Sequence, residues 1–178
     1  MSEGASGYVI GIGSNIEPER NVPRIIDALL RRFGALRMSR ILRTRPVDMA
    51  SERDFLNLAI YAETALTASE LKDVCNGIEC ALGRDRCDPE RARKDRVADL
   101  DILFALVPGV SAPSLTAVDG VYFRPVVADL YGLLGLSPVA MESPGVPVCL
   151  DGASAGEVPA AIHLDRGTGQ VVVVEQRP

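Results

Sequence analysis

Two aspartates one residue apart, in the run Asp99-Leu100-Asp101-Ile102-Leu103-Phe104, are the residues of this chain best suited to do chemistry. Successive side chains of a strand alternate between its faces, so Asp99 and Asp101 share one face, roughly 6.5–7 Å apart along the backbone. Leu100, Ile102 and Phe104 are expected on the other face, in the core. Adjacent carboxylates repel each other unless a cation lies between them. Mg²⁺ suits such a pair, because one or two carboxylates plus phosphate oxygens and waters complete its shell. Two exposed acids at a strand's start, or acids paired with nearby arginines, would look the same in sequence.

The segment before this strand adds cations. Arg84, Arg86, Arg91, Arg93, Lys94 and Arg96 fall within thirteen residues, interleaved with four acids that leave a net charge of +2. Arginine forks suit bidentate contacts to phosphate oxygens. A polyphosphate held beside a metal pair is one use for such a loop; a solvated charged loop is the other. No G-x-x-x-x-G-K-[ST] pattern occurs, which excludes an ordinary P-loop nucleotidase. A third surface comes from Phe55 and Asn57, which share one face of an extended run while Leu56, Leu58 and Ile60 share the other. An aromatic ring beside a carboxamide can stack on a flat heterocycle and hydrogen-bond its edge.

Several elements must hold these residues. Tyr8 to Ile12 reads as a strand closed by Gly13-Ser14-Asn15. Val22, Ile25, Ile26, Leu29, Leu30 and Phe33 recur at helical spacing, and Gly34 supplies a stop. Ala35 to Val47 and Asp54 to Leu66 are expected to be extended. Thr67-x-x-Glu70 is a capping box opening a helix with Leu71, Val74, Cys75, Ile78 and Leu82 on its apolar face, ended by Gly83. A polar loop from Arg84 to Ala98 leads into a strand from Asp99 to Val107. The order β-α-β-β-α-β is an α+β, split βαβ arrangement of ferredoxin-like type. An extended C-terminal region follows: a loop over residues 108–120, a strand at Val146 to Leu150, a short helix at Gly156 to Ile162 and a last strand at Gln170 to Glu175.

Composition bounds the rest. The 178 residues are 47% apolar and 24% charged, which describes one globular domain over residues 1–178. A net charge of −5 argues against a general nucleic-acid binder. From Ala28 to Val47, however, six arginines and no acid occur, either a local anion site or a solvated face. No signal-like start and no run of 18 uncharged apolar residues is found, so the expectation is a soluble cytoplasmic protein without a membrane partner. Four cysteines without a C-x-x-C pair, and the single His163, make a poor zinc site. Cys75 is expected to be a buried, reduced thiol.

Taken in order, Gly13-Ser14-Asn15, Arg43-Thr44-x-Pro46, Asp54-Phe55-Leu56-Asn57, Ile78-Glu79, Leu82-Gly83-Arg84 and Arg96-x-x-Asp99-Leu100-Asp101-Ile102-Leu103 resemble the 6-hydroxymethyl-7,8-dihydropterin pyrophosphokinase family of folate biosynthesis. The resemblance runs from about Tyr8 to Phe104, so residues 1–107 form the family-like core and residues 108–178 a divergent part. It implies a ferredoxin-like fold and transfer of pyrophosphate from ATP to the pterin's hydroxymethyl oxygen with two Mg²⁺ ions. Asp99 and Asp101 would hold the metals, with Arg84 and Arg96 completing the catalytic set. Phe55 would stack on the pterin, Asn57 would bond its edge, and Thr44, Pro46 and Val47 would meet its remaining atoms. Glu79, Arg84, Arg86, Arg93, Arg96 and Arg124 would contact ATP. The implied partners are pterin and ATP, bound by a monomer or weak homodimer, without nucleic acid.

The family pattern is departed from in four places. The phosphate loop of the family carries a Trp that this chain lacks, and the interval from Arg84 to Asp99 is about two residues longer than in the family. The Pro-His pair is replaced by Val118-Asp119. The Arg-x-Phe has become Arg124-Pro125-Val126, leaving Tyr122 or Phe123 as the second ring. A relative that keeps the fold and binds pterin or nucleotide without turnover is the alternative reading. An interaction module using its sheet for assembly is a third, which gives no account of the paired acids.

Overall fold

Glycines at alternate positions shape the first strand, β1 (Gly7–Ser14), in the computed structural model, which describes residues 6–138 and 143–176. Tyr8, Ile10 and Ile12 point to one face and join the main core; Gly7, Val9, Gly11 and Gly13 point to the other. A Cβ at Gly11 would lie 2.6 Å from the Phe123 ring, and one at Gly13 would lie 2.7 Å from Asn57 Oδ1. These glycines therefore serve close approach, not an unusual backbone angle.

Helix α1 (Pro18–Phe33) starts with proline in its first turn and buries Val22, Ile25, Ile26, Leu29 and Leu30. Gly34, at φ 81, ends it and donates to the Leu30 carbonyl at 2.7 Å. Helix α2 (Ala68–Ala81) opens with the expected capping box. The Glu70 N–H donates to Thr67 Oγ1 at 3.3 Å, and the Thr67 N–H donates to Glu70 Oε2 at 2.7 Å.

The expected strand over residues 35–47 is broken into β2 (Ala35–Met38) and β3 (Leu42–Thr44). Between them Ser39 Oγ accepts from the Ala59 N–H at 2.9 Å, and Arg40 turns inward. The Arg40 guanidinium grips Asp129 at 2.8 and 3.0 Å and donates to the Ser143 carbonyl at 2.6 Å. A buried arginine with a partner on another element takes the chain out of the ladder. Strands β4 (Phe55–Glu63) and β5 (Asp99–Leu106) follow the expected positions closely. A bulge shifts the β1–β5 register between Val9 and Ile10, so Ile10 faces Ile102 while Val9 faces Phe104. Leu100 and Ile102 consequently enter the main core, but Phe104 goes to the opposite face and meets Tyr131 edge-on at 6.2 Å. The extra bulge residue reverses the alternation that the sequence implied for Phe104.

Beyond β5 the chain makes short 3-10 turns at Leu115–Ala117 and Val121–Phe123, then α3 (Arg124–Leu133). No helix was expected at α3. The Asp151-Gly152 turn, with φ values of 48° and 84°, closes a hairpin of β6 (Val148–Leu150) and β7 (Ala153–Ala155), as Asp-Gly favours. The short helix expected at 156–162 is a correction: the segment holds a loop and strand β8 (Ala160–Leu164). Gly156 at φ 111 and Pro159 oppose a helix, and the free edge of β2 supplies hydrogen bonds that override alanine's helical preference. Strand β9 (Val171–Glu175) completes the sheet.

The result is a mixed α/β structure whose main sheet runs β5-β1-β4-β2-β8-β9, every neighbouring pair antiparallel, with β3 on the start of β4. Helices α1 and α2 and the β6–β7 hairpin cover one face, over Ile10, Ile12, Leu58 and Leu100. Helix α3 covers only part of the other, through Val126, Val127 and Leu130. No helix among the described residues is long and apolar enough to cross a membrane.

Candidate active site

Register places the candidate residues. Gly13 pairs with Asn57 on β4 and with Asp99 on β5; Gly11 pairs with Ala59 and with Asp101. Directly paired residues share a face, so Asn57 and Asp99 rise on either side of Gly13, two strand spacings or about 10 Å apart. Asp101 stands one pair further along. A cavity opens over Gly13 on the face α3 leaves uncovered, with Asn57 and Phe55 on one side and Asp99 and Arg96 on the other. Tyr122 and Phe123 form a further wall, their rings 4.7 Å apart. The end of β3 contributes Thr44, and the loop after it Val47 and Met49.

On the Asn57 side, the buried carboxamide donates to Thr44 Oγ1 at 2.6 Å, which fixes its orientation across the β3–β4 pair. Phe55 is half-buried and lines the cavity. Pro46 lies between Arg45 and Val47, both of which line the cavity, while Pro46 itself does not.

On the Asp99 side, Arg84 Nη1 donates to Asp99 Oδ1 at 2.6 Å and to the Ala98 carbonyl at 3.1 Å. Arg96 Nη1 donates to Asp99 Oδ2, while Arg96 Nε is buried with no partner among the described residues. Both readings of the acids thus meet in one place: Asp99 is paired with arginines, and those arginines are the ones expected at phosphates. Glu79 lies behind them, fully buried. It accepts from the Leu100 N–H at 2.7 Å and from Arg86, and its Oε1 lies 3.0 Å from Arg84 Nη1 as an ion pair. Glu79, expected at ATP, is thus enclosed in this structure beneath Arg84 and Arg86. Arg86 stands in this second row.

Asp101 has a different environment. Its nearest cation is Lys72 on α2, whose Nζ is 3.9 Å from Asp101 Oδ1 and donates to the Leu100 carbonyl at 3.1 Å. Burial, and then the Asp99 carboxylate, push the Asp101 carboxyl above the ordinary aspartate range; Lys72 and Arg96 oppose this. Burial also raises the Tyr122 phenol, with further contributions from Asp99 and Asp101.

Arg93 is exposed on the loop surface. Arg124 begins α3 and donates to the Thr116 carbonyl at 3.2 Å and the Val118 carbonyl at 3.4 Å, holding the preceding segment. Neither lines the cavity. Asp119 is exposed.

Sequence reasoning missed Lys72 and Met49, and saw Asn15 only as part of a turn. Lys72, Cys75 and Glu79 do share a helical stripe, a signal that would have set Lys72 beside the acids. Among the described residues no group of three or more metal-binding side chains comes together. The pair Asp99 and Asp101 nonetheless fits Mg²⁺. The two carboxylates share one face, and the half-exposed Asp101 side chain, repelled by Asp99, is neutralised only loosely, by Lys72 at 3.9 Å.

One face of the sheet thus sets two carboxylates and an arginine cluster beside Phe55 and the Asn57 carboxamide. Residues 9–123 match the model of the 7,8-dihydro-6-hydroxymethylpterin-pyrophosphokinase family, and the chain belongs to that family. It is 38% identical over 97 residues to the 2-amino-4-hydroxy-6-hydroxymethyldihydropteridine pyrophosphokinase of Bacillus subtilis, a stretch covering 53% of this chain and 56% of the relative. It is 36% identical over 97 residues to the protein of that name from Methylorubrum extorquens, covering 53% and 60%. With the folate synthesis bifunctional protein of Arabidopsis thaliana it shares 32% over 139 residues, 74% of this chain and 28% of the relative. The matched stretch thus spans less than two thirds of each of these three relatives.

Proposed function

We propose that this chain transfers the pyrophosphoryl group of ATP to the hydroxymethyl oxygen of 6-hydroxymethyl-7,8-dihydropterin. The observation that supports the reading is the row Asn57–Gly13–Asp99, in which a carboxamide and a carboxylate stand on one face on either side of one strand. In the reaction the hydroxymethyl oxygen attacks the β-phosphorus, the bond from that phosphorus to the bridging α–β oxygen breaks, AMP leaves and the hydroxyl proton passes to solvent. Phe55 and one of Tyr122 and Phe123 hold the pterin between rings; Asn57 fixes its edge, with Thr44 and Val47 closing the slot. Arg84 and Arg96, oriented by Glu79 and Asp99, turn to the phosphates and offset the charge that grows on the leaving AMP. Asp99 and Asp101 would hold Mg²⁺, two ions in this reading, and the metal would supply charge neutralisation at the phosphates. Positioning and electrostatics do the work, and no protein nucleophile is required.

The same reading makes residues 1–107 the family-like core, a ferredoxin-like split βαβ unit supported by the order β5-β1-β4-β2 and its antiparallel pairs. Residues 108–178 are its divergent extension within one domain. The protein acts in the cytoplasm on small molecules, as a monomer or weak homodimer, and binds neither nucleic acid nor membrane. The test is to incubate the purified protein with ATP, MgCl₂ and the hydroxymethyl dihydropterin and to follow AMP and pterin diphosphate by mass spectrometry. Equal amounts of both, abolished by EDTA, are expected. Pterin binding without AMP would leave the non-catalytic relative as the better description.

A further inference from the structure

The wall formed by the loop after β3 has few attachments of its own. Val47 is 49% exposed although it lines the cavity, and Asp48 adopts a left-handed φ of 55°. What fastens this loop is a set of polar contacts converging on Asp95, a residue of the other loop. Asp95 Oδ1 accepts from Ser51 Oγ and from Asn15 Nδ2, the latter at 2.8 Å. Asp95 Oδ2 lies 3.5 Å from Arg53 Nε. Asn15, 3% exposed, also donates to the Arg53 carbonyl at 3.3 Å. Its Oδ1 accepts from the Arg96 N–H at 2.7 Å, and its own N–H donates to the Arg96 carbonyl at 3.0 Å.

Three segments that are far apart in sequence therefore meet at one carboxylate: the turn after β1, the 45–54 loop and the loop leading into β5. The carboxylate adjoins Arg96 in the chain, and Ser51 is two residues beyond Met49. A charged acceptor shared by two loops holds both more firmly than neutral contacts of the same number. We propose that Asp95 is a positioning residue of this site, which, through Ser51, Arg53 and Asn15, keeps Val47 and Met49 against the heterocycle slot while Arg96 stays over Asp99. The inference rests on the functional reading above for the identity of the ligand, but not for the existence of the latch.

Two measurements on the full chain test it. Hydrogen exchange of residues 47–53 in the free protein is compared between wild type, Asp95→Ala, Asp95→Asn and Ser51→Ala. Affinity for 6-hydroxymethylpterin is read from its own fluorescence in the same proteins. Ser51→Ala should exchange faster at 47–53 and bind the pterin about tenfold more weakly, as loss of one charge-assisted hydrogen bond implies, and Asp95→Ala, which loses two and an ion pair, at least as weakly. Asp95→Asn, whose amide oxygen still accepts, should recover part of both. Asp85→Ala, an acid of the same loop whose carboxylate bonds only the nearby Cys87 N–H among the described contacts, should match wild type. Exchange and affinity in Asp95→Ala and Ser51→Ala equal to wild type would overturn the latch. Should wild type bind no pterin, the functional reading fails, and exchange at 47–53 still decides the latch alone. If Asp95→Ala does not fold, Ser51→Ala carries both measurements.

Discussion

On the sheet face away from α1 and α2, strands β1, β4 and β5 present Gly11, Gly13, Asn57, Asp99 and Asp101, whereas β2, β8 and β9 present Ala35, Arg37, Ala161, His163, Val172 and Val174. The opposite face is apolar in both regions, with Ile10, Leu58 and Leu100 in the first and Leu36, Ile162 and Val173 in the second. One sheet thus carries two kinds of surface on a common core. In the first region packing has been given up locally: two positions have no side chain, and two acids sit close enough to repel. In the second, ordinary cross-strand pairs extend the sheet and add no residue to the cavity. Candidate site and support are divided by strand; besides the β2–β4 ladder, Arg40 joins them through Asp129 on α3.

That joint gives the largest expected effect. Arg40 sits between β2 and β3, nearly buried, and its partner Asp129 on α3 is 3% exposed. Removing either partner leaves a buried charge unpaired, at a cost of about 3–5 kcal/mol. Arg40→Ala and Asp129→Ala should each lower the urea midpoint sharply without changing its slope. Arg40→Met combined with Asp129→Leu should recover much of the loss. If the single variants cost no more than a surface substitution, the two regions are not joined here.

Next comes the site itself. Asp99→Asn keeps the shape of the side chain but removes the charge that Arg84 and Arg96 share. Pyrophosphoryl transfer should fall by about 100-fold or more, the scale of losing one preorganised electrostatic contact. Thermal stability should change little, because the affected groups keep partners. A variant with near wild-type turnover would detach chemistry from this strand pair and with it the contrast between the regions.

A smaller, opposite effect is expected from the supporting strands. Val173 packs on the main core from β9, so Val173→Asp should lower stability by roughly 1–3 kcal/mol. The kcat of the protein that remains folded should stay at the wild-type value. A fall in kcat with stability intact would show that the extension shapes the site.

These contrasts also show how far the sequence could be read. Alternation in Phe55–Glu63 and helical spacing in α1 survive intact: Leu56, Leu58 and Ile60 share the main core, and α1 buries one stripe. The capping box survives because Thr67 and Glu70 satisfy each other locally. What could not be read depends on long-range partners. Arg40 looks like one arginine among six until Asp129 meets it. Phe104 changes face through a bulge that only the β1 register reveals. Residues 156–162 read as helical until the β2 edge is in view. In the site, Phe55, Asn57, Asp99 and Arg96 come together as their strands require, but Glu79 is drawn underneath by Arg84 and Arg86. Asp95 had no local signal, as its partners lie 80 and 44 residues away.

The last effect is absent at neutral pH and tests how dry the shared apolar face is. Cys75 lies fully buried under α2, and burial pushes its thiol up to about 11 from an ordinary value near 9. The folded protein therefore holds the proton over a range where the unfolded chain has released it. The sign follows: this site costs nothing below about pH 9, and stability falls as pH rises from 9 toward 11. Two pH units of difference amount to about 2–3 kcal/mol at the upper end. Cys75→Ala should flatten that part of the wild-type stability curve, after allowance for a constant loss of packing. In a thiol titration at pH 8 the exposed Cys80, Cys87 and Cys149 should react quickly and the fourth only on unfolding. Four equally fast thiols would mean that water reaches the face beneath α2, and the two surfaces of the sheet would then differ less than their side chains imply.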